Sequence, residues 1–71
     1  MEYLIVRYIE RRQVVVDGRL QGWTNEILEL ERGTHVVSLK RPPDDFVPFE
    51  MPLVLEDSGI LSPLEVRFEQ S

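Results

Sequence analysis

His35 is the only histidine among 71 residues, and there is no cysteine, so nucleophilic and metal chemistry have few side chains to draw on. A histidine-based triad needs His35 beside Ser38, Ser58, Ser62 or Ser71, with a carboxylate to orient the ring. Ser38 lies three residues on, hence on the opposite face of any regular strand. The reading favoured for His35 is a structural histidine that closes a hairpin or is hydrogen-bonded near the core. Zinc would have to rely mainly on carboxylates. Asp44 and Asp45, with Glu50 or Asp57, offer oxygens for calcium but lack the alternating spacing of a calcium loop, so they read as solvated turn carboxylates. No metal or cofactor is expected. Gly18, Gly22, Gly33 and Gly59 stand apart and each has a turn to serve, so no phosphate-binding loop is formed. A chain this short also offers little room for a substrate cleft, and the expectation is a protein that is not an enzyme.

Two sets of residues are candidates for binding. Arg7, Arg11 and Arg12 form the one basic cluster; the competing reading is a charged rim that balances Glu2 and Glu10. Tyr8 is the only aromatic beside them, which is a poor stacking platform for single-stranded nucleic acid. Thirteen acidic against eight basic residues give a net charge of −5, which repels phosphate backbones and anionic membrane surfaces. A protein partner is therefore expected, with nucleic acid disfavoured and no membrane insertion. Trp23, flanked by Gly22 and Asn25, is placed either in an accessible loop that contacts a partner or across the open end of the core.

The elements that position these residues read as strands. Tyr3 to Ile9 is rich in β-branched and aromatic residues and suits a central strand. Gln13 to Val16 leads into Asp17-Gly18, a dipeptide suited to positive φ at both central positions of a tight turn, and Arg19 to Gln21 returns. Glu26 to Glu31 puts Leu28 and Leu30 on one face, and His35 to Lys40 does the same for His35, Val37 and Leu39. The Arg32-Gly33-Thr34 turn between them predicts a second hairpin. Pro42-Pro43-Asp44-Asp45 ends that strand. Phe46 to Leu55, interrupted by Pro48 and Pro52, predicts an extended, partly edge-lying segment that a partner strand could join. Leu64 to Phe68 alternates again, with Leu64, Val66 and Phe68 inward.

Length and composition, 42% hydrophobic and 30% charged, fit one globular domain over residues 1–71. Six or seven short strands and no helix predict an all-β fold, a small immunoglobulin-like sandwich, with a five-stranded oligonucleotide-binding-type barrel as the alternative. The apolar start, Tyr3 to Val6, is too short for a signal-peptide core, so a cytoplasmic location is expected, or an envelope or surface one if the chain is trimmed from a longer precursor.

The order Val14-Val15-Val16-Asp17-Gly18, Gly22-Trp23-Thr24, Leu28-Glu29-Leu30 and Gly33-Thr34-His35-Val36-Val37 resembles the PEGA domain, a bacterial and archaeal β-sandwich module. The stretch that names the family falls on Ile9, Glu10, Arg11 and Arg12, of which only Glu10 agrees, and Asn25 stands where proline usually follows the Gly-x-Thr step. The resemblance implies a noncatalytic accessory role in protein binding or structure, with Asp17, Gly18, Gly22 and Gly33 as the turn residues.

A positive φ at Gly18 makes a β-branched side chain there costly. Gly18→Val is expected to destabilise the fold by about 1 to 3 kcal/mol in chemical denaturation. An unchanged midpoint would remove the turn.

Overall fold

The computed structural model describes residues Met1–Ser71 as nine strands and no helix. No helix is therefore long and apolar enough to cross a membrane. The strands are β1 (Glu2–Arg7), β2 (Gln13–Val16), β3 (Arg19–Trp23), β4 (Ile27–Leu30), β5 (Gly33–Leu39), β6 (Phe46–Val47), β7 (Met51–Leu55), β8 (Leu64–Arg67) and β9 (Glu69–Gln70). They form a three-stranded sheet in the order β4-β1-β8, a four-stranded sheet in the order β3-β2-β5-β7, and the short pair β6-β9. The count exceeds the expected six or seven because the proline-interrupted segment splits into β6 and β7, and because the last residues pair with β6. The two larger sheets both contribute side chains to one common core, as a small β-sandwich does.

Strand alternation explains the core. Leu4, Val6 and Tyr8 from β1 and its end, Val14 and Val16 from β2, Leu28 and Leu30 from β4, and Val37 and Leu39 from β5 are buried together with Phe46, Leu55 and Phe68. Val66 and Leu64, half-buried, pack against them. Tyr8, Phe46 and Phe68 meet edge to face, with centroids 6.4 and 5.7 Å apart, and the Tyr8 hydroxyl donates to the Asp45 carbonyl. This aromatic row fills one end of the sandwich.

The Asp17-Gly18 hairpin joins β2 and β3 as the sequence predicts, with φ of 52° and 82° at the two central residues. The second predicted hairpin does not form. β4 pairs with β1 in one sheet, whereas β5 pairs with β2 and β7 in the other. The Arg32-Gly33 corner, with Gly33 at φ 132°, carries the chain from sheet to sheet. A glycine turn between two alternating runs has the same local chemistry in either case, and the choice is made by which sheet offers each strand a partner. β8 adds beside β1 in parallel, a pairing between chain ends that no local signal marks.

The β1–β2 and β3–β4 connections cross between the sheets side by side, and Thr24 and Asn25 fasten them. Buried Thr24 accepts the Arg12 N–H on Oγ1 (2.8 Å), donates its hydroxyl to the Glu10 carbonyl (2.7 Å), and donates its own N–H to the Arg12 carbonyl (2.8 Å). Asn25 donates its backbone N–H to Val6 and its side-chain amide to the Tyr8 carbonyl, while its Oδ1 accepts the Tyr8 N–H. Asn25 does this at φ 64°. Proline can neither take that φ nor supply that N–H, which explains asparagine at this step. Gly22 is constrained by its backbone at φ 68°, and the space a Cβ would take is filled by Leu28 Cδ2.

Thr24→Val keeps the shape of the side chain and removes both hydroxyl bonds, leaving the Arg12 N–H and the Glu10 carbonyl short of a partner. It is expected to lower stability by about 1 to 3 kcal/mol in urea titration. A variant as stable as the parent would show that the crossing does not depend on this hydroxyl.

Candidate functional site

Arg7, Arg11 and Arg12 are near in sequence but are sent in three directions. Arg7 lies on the outer face of the three-stranded sheet, where its Nε meets Glu65 at 3.0 Å. Arg11 bonds Glu26 at 3.3 Å and lays its guanidinium 3.8 Å from the centroid of the Trp23 ring. Arg12 turns inward, with only 11% of its side chain exposed. It holds Glu10 (2.7 Å), both oxygens of Asp45 (3.0 and 3.2 Å), and the carbonyls of Lys40 and Pro43. Burial opposes the charge on Arg12, but hydrogen bonds to Asp45 and Glu10 outweigh it and hold its pKa above the ordinary arginine value. Each guanidinium thus has its own carboxylate, and Arg12 ties the crossing loops to the 40–45 loop.

Trp23, half-buried, pairs with Gln13 at the end of β3 under the Arg11 cover. Its strand is an edge of the four-stranded sheet. Asp17 and Gly18 form the β2–β3 turn, Gly22 makes room for Leu28, and Gly33 turns the chain between sheets.

His35 faces the inside of the four-stranded sheet near a cleft of about 490 Å³ between β3 and β4, where Asp17, Arg19, Gln21, Glu29 and Glu31 also lie. Its Nδ1 is 2.7 Å from Asp17 Oδ2 and its Nε2 is 2.7 Å from the Glu31 carbonyl. Asp17 Oδ1 accepts the Val36 N–H. The carbonyl of Glu31 first, and the Asp17 carboxylate second, raise the pKa of His35 against the effect of burial. The Val36 N–H first, and His35 second, lower that of Asp17. Two of the serines are occupied elsewhere. Ser38 donates to the Phe49 carbonyl and accepts from Arg41, and Ser58 donates its N–H and hydroxyl to Glu2, which lowers the Glu2 pKa. Asp44 and Asp45 are paired with Arg41 and Arg12, and no three histidine or acidic side chains are gathered in a metal-binding arrangement.

A surface that the sequence reading passed over is the outer face of the four-stranded sheet. Val15, between inward Val14 and Val16, pairs with Leu20 on one side and Ser38 on the other. Val36 pairs with Pro52, and Thr34 with Val54. Directly opposed residues share a face. Leu20 is 54% exposed, Val54 56% and, just before β7, Phe49 64%. Arg41 lies 4.0 Å from the Phe49 ring centroid. The signal was available in Val15, Leu20, Val36 and Val54, the apolar residues out of phase with the core alternation.

Comparison of the chain with protein-family models, curated proteins and solved structures yields no match.

Arg12 and Arg11 should separate in their effects. Arg12→Met is expected to lower the denaturation midpoint markedly, since it strands Asp45 and two carbonyls. Arg11→Met should leave the midpoint near that of the parent while raising acrylamide quenching of Trp23 fluorescence. Equal midpoints for the two variants would contradict the distinct roles.

Proposed function

We propose that this chain is a noncatalytic interaction module of the PEGA type, which binds another protein through the outer face of its four-stranded sheet. The observation that carries the reading is the set of apolar side chains on that face: Leu20 and Val54 exposed, Val15 and Val36 half-buried between them and Phe49 beside them, with the polar Thr34 and Ser38 interspersed. Apolar side chains gathered on one sheet face mark a contact site more often than exposed residues scattered singly do. A net charge of −5 turns away phosphate backbones and anionic lipid, so the complementary surface is the apolar patch of a protein.

The face is a better site than the β7 edge. Pro52 lies within that edge strand and has no N–H to offer an added strand. The nucleic-acid alternative rested on Arg7, Arg11 and Arg12, each of which already holds a carboxylate. For catalysis, His35 would have to give up either Asp17 or the Glu31 carbonyl to reach a substrate.

A photo-crosslinking residue placed in turn at Val54, Leu20 and Glu65 tests the choice of face in native cells. The expected result is one discrete heteromeric adduct from Val54 and Leu20, lost when Phe49→Lys is added, and none from Glu65 on the other sheet. Adducts from Glu65 alone, or a homodimer adduct from Val54, would overturn a partner protein at this face.

A further inference from the structure

We propose that His35 is a protonation-dependent latch, whose imidazolium joins the two sheets at the mouth of the cleft between β3 and β4, and whose deprotonation frees the β4–β5 corner. The geometry supplies the charge state. Both ring nitrogens lie 2.7 Å from oxygen atoms that only accept, the Asp17 carboxylate and the Glu31 backbone carbonyl. A neutral imidazole has one N–H and would set a lone pair against one of those oxygens, whereas the imidazolium donates to both. Asp17 belongs to the turn of the four-stranded sheet and Glu31 directly follows β4 of the other sheet, so the ring bridges two bodies.

The ladders hold the flanks of the corner, Leu30 opposite Glu2 and Gly33 opposite Leu55, so the bridge acts on Glu31 and Arg32 between them, where other side-chain ties are few. Asp17 is held to β5 through Val36, by a side-chain bond and by its own N–H donating to the Val36 carbonyl at 2.8 Å. At the corner itself, Arg32 and Glu56 meet only at 3.8 Å and both are exposed. The charged groups around the cleft are Asp17 from the β2–β3 turn, Arg19 from β3, Glu29 from β4, Glu31 beyond it and the Met1 amino group, while the β7 neighbour of His35 is uncharged Leu53. Three carboxylates against one arginine and one amino group leave a net negative surround, which favours the imidazolium.

The sign of the pH dependence follows from the partners. The folded state raises the His35 pKa, so the latch contributes in full below the ordinary histidine value of about 6.5 and is lost as pH rises through the higher folded value. Asp17 is shifted down, so its contribution is present above the ordinary aspartate value and is lost only as acid brings the pH through the lower folded one. The latch is therefore closed in weakly acidic solution and opens as pH rises past the raised His35 value.

Nuclear magnetic resonance of the intact wild-type chain tests this directly. In weak acid, both His35 ring nitrogens are expected to carry protons. As pH rises, the Glu31, Arg32 and Gly33 amides should shift with the same midpoint as the ring. Above it, the Leu30 methyls should become more accessible to a soluble gadolinium chelate, while those of Leu4 stay protected. Asp17→Asn should move the ring midpoint down and the corner amides with it. A ring that stays singly protonated in weak acid, or corner amides that remain still through the His35 titration, would overturn the latch.

Discussion

Two connections pass between the sheets side by side, and the hydrogen bonds of Thr24 and Asn25 hold them together. Without that fastening, β1 and β2 would be joined to each other, and β3 to β4, only by loose chain. With it, the Arg12 backbone is fixed on both sides, its N–H donating to the Thr24 hydroxyl and its carbonyl accepting the Thr24 N–H. The Arg12 side chain can then reach Glu10, Asp45 and the 40–45 loop. That loop in turn presents Asp45 to Tyr8 and places Phe46 against Phe68. A domain of this size has little apolar surface to bury, and polar atoms fully paired inside it are a necessary complement. No buried side-chain nitrogen or oxygen is left without a partner.

The alternating runs were the legible part of the fold. Leu28, Leu30, Val37, Leu39 and Phe68 are buried, and Val66 packs half-buried against them, because a period of two leaves each strand only one way to face the core. Asp17-Gly18 was equally legible, since few dipeptides take positive φ twice. What the sequence could not disclose were choices between partners that look alike locally. Gly33 marks a turn whether the chain returns beside β4 or crosses to the other sheet. Strand β8 joins β1 in parallel through a contact between distant segments.

The candidate residues divide in the same way. Arg7, Arg11 and Arg12 look like one patch because they are close in sequence, but alternation and the crossing point them outward, onto an indole and inward. His35 was readable as a hydrogen-bonded histidine near the core, although its partners came from Asp17 and Glu31, on either side of a cleft that depends on the sheet crossing. The outer apolar face is out of phase with the core, so core alternation does not mark it. Once the core is filled by one set of valines and leucines, the opposite set on β2, β3, β5 and β7 needs a reason of its own.

Side-chain footprinting with a diffusible carbene reagent, applied to the purified chain and to intact native cells, addresses that reason most directly. Leu20, Phe49 and Val54 should label readily in the purified chain and be protected in cells, while exposed Ile27 and Leu61, on other parts of the surface, label alike in both. Equal labelling of Leu20, Phe49 and Val54 in the two settings, or protection confined to Ile27 or Leu61, would contradict the assignment of this face to a protein partner.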